Sequence, residues 1–263
     1  MPKNSEIVSD SNRLRLLNFA NIGAFLLTII VNALANALPL NGKTTAEVSD
    51  SYPTLFAPAG YVFSIWGVIY VLLLVFAISQ ALPRYRGSQF VSRIGFFFVL
   101  GSLANVIWLF LWHYEQIVIS VLPMFVLLGT LIIIYLRLEI GQVKVSTKDK
   151  LFFHVPFSVY LGWITVASIA DVAAALVAVK WDGFGLGEVT WTIAMLVVAL
   201  VVTLAVIFTR RDVAFSLVVV WALAGIMVKQ AAQQNVMITA AIGVIAILVA
   251  LAISMVYLRK ERQ

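Results

Sequence analysis

Long uncharged runs of apolar residues, separated by short polar breaks, constrain this chain more than any other feature. Eight can be read: Leu14–Leu38, Tyr61–Leu82, Val91–Trp112, Ile117–Leu136, Leu151–Val179, Val189–Phe208, Val213–Val228 and Val236–Leu258. A helix that crosses a bilayer needs about 20 mostly apolar residues. Lipid offers no partner to a free backbone group, and barrel strands are only about 10 residues long, so runs of this length are helices. Composition agrees, with 62% hydrophobic residues and 11% charged ones, where soluble domains carry about 25% charged. The expected fold is therefore all-α, a polytopic membrane protein of about eight transmembrane helices. The seventh run is short, and Lys229 and Gln230 are expected to snorkel from its end.

The basic residues orient these spans. Lys3, Arg13 and Arg15 precede the first, and Arg84, Arg86 and Arg93 fall between the second and third. Arg137, Lys144, Lys148 and Lys150 follow the fourth, Arg210 and Arg211 the sixth, and Arg259, Lys260 and Arg262 the eighth. Fifteen of the eighteen lysines and arginines thus lie on one side, leaving Lys43, Lys180 and Lys229 on the other. By the positive-inside rule both termini are expected in the cytoplasm. The net charge of +6 is accounted for by membrane orientation, so nucleic acid is not an expected partner. Arg13, Arg15 and a later Ala33-Leu34-Ala35 imitate a signal peptide, but the run is long for one and is interrupted by Asn18, Asn21 and Asn32. A retained span is the expectation. The first loop, about Pro39 to Gly60, is long and rich in turn formers, which suits either a functional loop or a solvated connector.

No cysteine is present, which removes disulfides, thiolate nucleophiles and iron–sulfur clusters. The metalloprotease, nucleophile-elbow, P-loop and dinucleotide motifs are absent as well. His113 and His154 lie near opposite membrane faces and cannot share a metal; the first is expected at the interface and the second as a snorkelling cap.

One carboxylate, Asp171, sits well inside a span, about 30 Å along the helix from Leu151 at the standard rise. A charge in hydrocarbon costs several kcal/mol, so such a residue faces a cavity or a partner. Trp163, Ala167 and Asp171 share a helical face at i, i+4, i+8, beside Ser168. Asn105, Trp108 and Trp112 form a similar row in the third span, and Asn21, Thr28, Asn32 and Asn36 in the first. The plainer reading of these rows is helix–helix packing glued by polar groups. The other is a shared interior lined with indoles and amides, suited to a flat apolar ligand. Trp112, Trp181 and Trp191 fit interfacial anchors, whereas Trp66, Trp108 and Trp163 lie within their spans.

The second span opens Pro58-Ala59-Gly60-Tyr61-Val62-Phe63-Ser64-Ile65-Trp66-Gly67-Val68-Ile69-Tyr70. This resembles the hallmark of the TspO/MBR family, the tryptophan-rich sensory proteins and mitochondrial translocator protein, which reads Pro-Pro-Gly-Trp-Val-Phe-Gly-Pro-Val-Trp-x-x-x-Tyr. Ala104-Asn105-x-x-Trp108 is similar to that family's third-helix Leu-Asn-x-x-Trp. Trp163-x-x-x-Ala167-x-x-x-Asp171, preceded by Pro156, is similar to its fifth-helix Trp-x-x-x-Ala-x-x-x-Asn. Here Ala59 replaces a proline, Tyr61 a tryptophan and Asp171 an asparagine. The chain also continues for three helices beyond the family's five.

The resemblance implies a TspO-like five-helix bundle over residues 14–179, with three additional transmembrane helices over 180–258 between cytoplasmic tails at 1–13 and 259–263. It implies a pocket beneath the first loop that uses Pro58, Gly60, Tyr61, Phe63 and Trp66 of the second helix. Asn105 and Trp108 of the third and Trp163, Ala167 and Asp171 of the fifth would complete it. The ligand would be a tetrapyrrole such as haem or protoporphyrin, or a lipid or sterol-like molecule, and the resemblance allows a homodimer. Asp171 is expected to hydrogen-bond while protonated or while paired with an amide such as Asn105 or Asn32. The expected function is binding, sensing or transport of a hydrophobic planar molecule in a bacterial cell membrane. The alternative is a proton- or cation-coupled transporter in which Asp171 titrates; no acid–base pair points to an enzyme.

The charge partition makes one direct prediction. Reporter fusions after Gln263 and within residues 183–187 should report opposite sides of the membrane, and a shared side would refute the eight-span alternation.

Overall fold

The computed structural model describes residues 4–85 and 88–260, and every regular element among them is helical. Lys3, Arg86 and Arg262 lie outside the described residues, as do the side chains of Arg259 and Lys260. In chain order the elements are α1 (Asn4–Ala37), α2 (Thr45–Ser51), α3 (Ile65–Ala81), α4 (Gln89–Ile94), α5 (Phe97–His113) and α6 (Ile117–Arg137). There follow α7 (Thr147–Asp149), α8 (Val155–Ala178), α9 (Glu188–Arg210), α10 (Val213–Lys229) and α11 (Gln234–Lys260). Six helical segments are long and apolar enough to cross a membrane, and α5 and α10 are shorter apolar helices. At 17 residues each, these two are at the lower limit of about 17 for a span. The molecule is an all-α polytopic membrane protein.

Two span boundaries depart from the hydropathy reading. The third run is interrupted because Gly95, at φ 57° and ψ −147°, takes a conformation open mainly to glycine. That separates α4 from α5. The fifth begins earlier than Leu151, with α7 and a π-helical turn at Lys150–His154. This turn re-aims His154 inward: it is 3% exposed, edge-on to Phe90, and does not snorkel. His113 is likewise fully buried, its Nδ1 at 2.8 Å from the Leu109 carbonyl, because the first loop closes over it through Asn41 Nδ2 on the His113 carbonyl.

Helices α5, α6 and α8 pack most closely, with α1 on α5 and α3 on α8. Polar pairs fasten α1: Asn21 donates to Gln80 Oε1 at 3.0 Å, and Asn32 donates to Asn105 Oδ1 at 2.8 Å. Such intramembrane bonds contribute about 0.6 kcal/mol each on average. The last three helices attach through α10, which packs on α8 and on the turn before α3. Gly225 allows that approach. A Cβ there would lie 2.1 Å from Val62 Cγ2 and 3.3 Å from Pro58 Cβ, and the Gly225 carbonyl accepts from Ala59 N at 3.2 Å.

The first loop is folded, with a capping box of Thr44 and Glu47 at the N-terminus of α2. It is tied to three other loops at the same end of the molecule. Lys43 Nζ donates to Glu115 Oε1 at 2.7 Å, Lys229 pairs with Asp50, and Leu55 N donates to Glu188 Oε1 at 2.9 Å. Trp112 Nε1 adds a bond to the Thr45 carbonyl at 3.1 Å. Lys229 is therefore paired, and Gln230 beside it is 8% exposed, instead of both extending to the headgroups. Arg93–Glu139 and Tyr85–Asp149 join loops of the opposite end, so successive spans run in alternating directions.

Two predictions follow from these contacts. Gly225→Ala should overpack against Val62, cost about 1–3 kcal/mol and lower the thermal midpoint in detergent. The second concerns Glu115, whose carboxyl is held below the usual range by the hydrogen bond from Lys43 and then by that from Tyr52. A depressed folded value gives stability that is present above the unfolded value, about 4.3, and is lost as pH falls through the folded one. The pair is a third exposed, so it contributes only about 0.2–1 kcal/mol. Hydrogen exchange of residues 43–52, corrected for intrinsic rates, should stay protected from pH 7 to about 5 and loosen below about 4.

Candidate functional site

Beneath the first loop, α3, α5 and α8 enclose a cleft lined by Pro58, Phe63, Trp66, Trp108, Trp163, Ala167 and Asp171, together with Ser49, Trp112, Val166 and Ala170. Each helix contributes one stripe. Trp163, Val166, Ala167, Ala170 and Asp171 recur at helical spacing on α8, and Trp108 and Trp112 at i, i+4 on α5. In the 3₁₀ turn at Gly60–Ser64, three residues complete a turn, which brings Phe63 into line with Trp66 at the start of α3.

That same geometry turns Tyr61 away. The expectation that it lines the cleft is corrected: it is 48% exposed, its ring edge-on to Trp221 at 5.4 Å. Gly60 approaches Ala46 of α2 and does not line the cleft. Asn105, fully buried, is committed to Asn32 behind it, so here the packing role prevails. Trp112 is 4% exposed and stacks on Trp108 at 5.6 Å and 25°; it is not an interfacial anchor, because the folded loop covers it.

The walls are aromatic. Trp66 and Trp108 lie 6.3 Å apart and 28° from parallel, while Trp163 meets Trp66 at 6.2 Å and 80°. Phe63 stands edge-on to Trp163 at 5.8 Å. Aromatic pairs in such geometries contribute about 0.5–1.5 kcal/mol each beyond area burial, so these rings are held firmly. The Trp163 indole N–H, on a residue 2% exposed, has no hydrogen-bond partner.

Asp171 is 2% exposed. Its Oδ1 accepts from Trp108 Nε1 at 3.2 Å and faces Ser120 Oγ at 3.2 Å; Oδ2 lies 3.5 Å from the same hydroxyl. The partners are therefore Trp108 and Ser120, in place of the expected Asn105 or Asn32, which bond each other through Asn32 Nδ2 and Asn105 Oδ1. Ser120 has a single proton, and the Ile117 carbonyl competes for it at 2.7 Å. Either Ser120 donates to an ionised Asp171, or a protonated Asp171 donates to Ser120 while Ser120 donates to Ile117.

The closed cleft has a volume of about 30 Å³, room for about two waters where one takes about 10–15 Å³. A wider cavity of about 190 Å³ lies alongside, between α8, α9 and the loop, with Trp181 and Trp191 on its walls. Among the described residues no group of three or more His, Asp or Glu side chains could hold a metal. Trp112 and Ala170 were legible as members of the α5 and α8 rows. Ser120 and Ser49 come from elements whose proximity no sequence spacing reveals.

Comparison with curated proteins and with solved structures finds no match. The TSPO-like protein family model matches residues 18–254, through all eight hydrophobic segments. With nine-tenths of its length so matched and its indoles gathered beneath the first loop, the chain belongs to the TSPO-like protein family.

Proposed function

We propose that the protein binds a hydrophobic small molecule in the cleft beneath the first loop and senses it or carries it across the membrane. The observation that carries this reading is the convergence of Phe63, Trp66, Trp108, Trp163 and Asp171 from three helices on one buried space. Ring faces offer dispersion and stacking to a planar ligand, and the carboxyl offers one polar anchor. Residues 14–179 would supply the ligand site. Residues 180–258 would act as its brace, since α10 holds Pro58 and Val62. Both termini would face the cytoplasm, in a bacterial cell membrane.

Pockets for drug-sized ligands measure about 300–1,000 Å³, far more than the closed cleft. A tetrapyrrole or sterol-like ligand therefore enters only when the Pro39–Gly60 loop lifts, which breaks its exposed ion pairs at about 0.2–1 kcal/mol each and also uncovers the buried Val48, Phe56 and the Trp112–Thr45 bond. In this reading the ligand's own burial offsets that cost.

A second reading is favoured by one observation, the Ser120 hydroxyl poised between Asp171 and Ile117. In it, Asp171 takes up and releases a proton as the cargo moves, and the protein is a proton- or cation-coupled transporter.

Tryptophan fluorescence tests the first reading. Protoporphyrin or a related planar ligand should quench emission saturably, and Trp66→Phe, Trp108→Phe and Trp163→Phe should each reduce that quenching. A broad ligand panel that leaves emission unchanged would refute it. For Asp171→Asn, neutral-ligand binding should stay within about twofold, because asparagine keeps the shape and accepts from Trp108; a twofold change is only about 0.4 kcal/mol. If that variant retains binding yet loses pH-driven uptake in proteoliposomes, the coupled reading is correct.

A further inference from the structure

The cleft carries an acid without a base. Asp171 is 2% exposed, and among the described residues the hydrogen-bond partner of its Oδ2 is the Ser120 hydroxyl at 3.5 Å. No lysine, arginine or histidine is among the residues lining the cleft. Buried carboxylates are normally paired with a cation or a set of donors, and here the donors among the described residues are one indole and one shared hydroxyl. The Trp163 N–H is a second unmet group on the same walls, a donor without an acceptor.

These groups discriminate between ligand classes. A wholly apolar ligand leaves both unmet. An anionic ligand places its charge against Asp171 in a low-dielectric site, where like charges repel strongly. An organic ammonium ion meets the requirements together. Its charge faces the carboxylate, and its polarised methyl or methylene groups lie against the indole of Trp163, whose ring contacts are edge-on, beside the stacked indoles of Trp66 and Trp108. Cation–π contact of this kind is the established use of aromatic cages in ammonium recognition. A hydroxyl or carbonyl on the same molecule would accept from Trp163. The closed volume of about 30 Å³ holds neither a head group nor an extended ring system without opening, and the compact head group needs the smaller opening.

We infer that the cleft recognises an organic ammonium head group, with Asp171 as its counter-ion and the indoles of Trp66, Trp108 and Trp163 as its cage. This rests on the reading of the cleft as a ligand site and narrows its ligand to one chemical class.

Choline and its uncharged carbon isostere, 3,3-dimethylbutan-1-ol, separate charge from shape. Titrated into the purified full-length protein, choline should change tryptophan emission saturably and bind at least about tenfold more tightly than the isostere. A tenfold preference corresponds to about 1.4 kcal/mol. Asp171→Asn, with its folding checked by thermal unfolding, should lose that preference. Equal binding of the two probes by the unmodified protein overturns the inference whatever the variant does, and so does a preference that survives in a folded Asp171→Asn. If neutral planar ligands quench and choline has no effect, the ammonium assignment falls while the ligand-site reading stands. If none of these ligands changes the emission, both fall. Where the preference for choline holds, nanodiscs identify its source. Choline binding several-fold weaker in phosphatidylcholine than in phosphatidylglycerol assigns a lipid head group to the cleft, and equal binding assigns a free ammonium ion.

Discussion

Hydrocarbon supplies no hydrogen bonds, so each polar group in this chain must find its partner inside the protein. That constraint makes the spans helical, and it also decides how they assemble. Asn21 and Asn32 would be costly against lipid; turned inward, they bond Gln80 and Asn105 and fix α1 against α3 and α5. Asp171 is the extreme case. Its need for donors draws Trp108 of α5 and Ser120 of α6 onto α8, so the most expensive residue of the span also pins three helices together.

The second organising contact lies at the end where the first loop folds over the bundle. The loop crosses the cleft because four groups on three elements hold it: Glu115 after α5, Glu188 at the start of α9, and Lys229 and the Gly225 carbonyl of α10. Two of these elements belong to the last three helices. Those helices therefore shape a cleft whose walls come wholly from the first five, by fixing Pro58 and the 3₁₀ turn that aims Phe63 inward.

The cleft combines aromatic walls with a folded cover. The rings of Phe63, Trp66, Trp108 and Trp163 constrain one another through edge and stacked contacts. The cover is tied by exposed pairs, each contributing little at physiological ionic strength, and by the buried Val48 and Phe56 and the Trp112–Thr45 bond. Such a division lets the interior keep its geometry while access changes. It also places the chemical specificity with Asp171 and the Trp163 N–H, two incompletely satisfied groups on the cleft walls.

How much of this was legible in the sequence follows from the range of each signal. Run length and charge placement are local, so the sequence by itself determined the all-α membrane fold, the number of hydrophobic segments and their alternation. Helical spacing is also local, and it put Trp163, Ala167 and Asp171 on one face and Trp108 with Trp112 on another. What lies across from a face is not local. Periodicity placed Asn105 in the row of Trp108, yet the neighbouring helix α1 took it for packing through Asn32. A 3₁₀ turn in place of an α-helical one sent Tyr61 outward to Trp221. Ser120, Ser49 and the bracing role of Gly225 arise from elements far apart in the chain. Only the tertiary structure decided them, because a hydrogen bond or a steric fit depends on which helices become neighbours, and spacing along one helix carries no record of that.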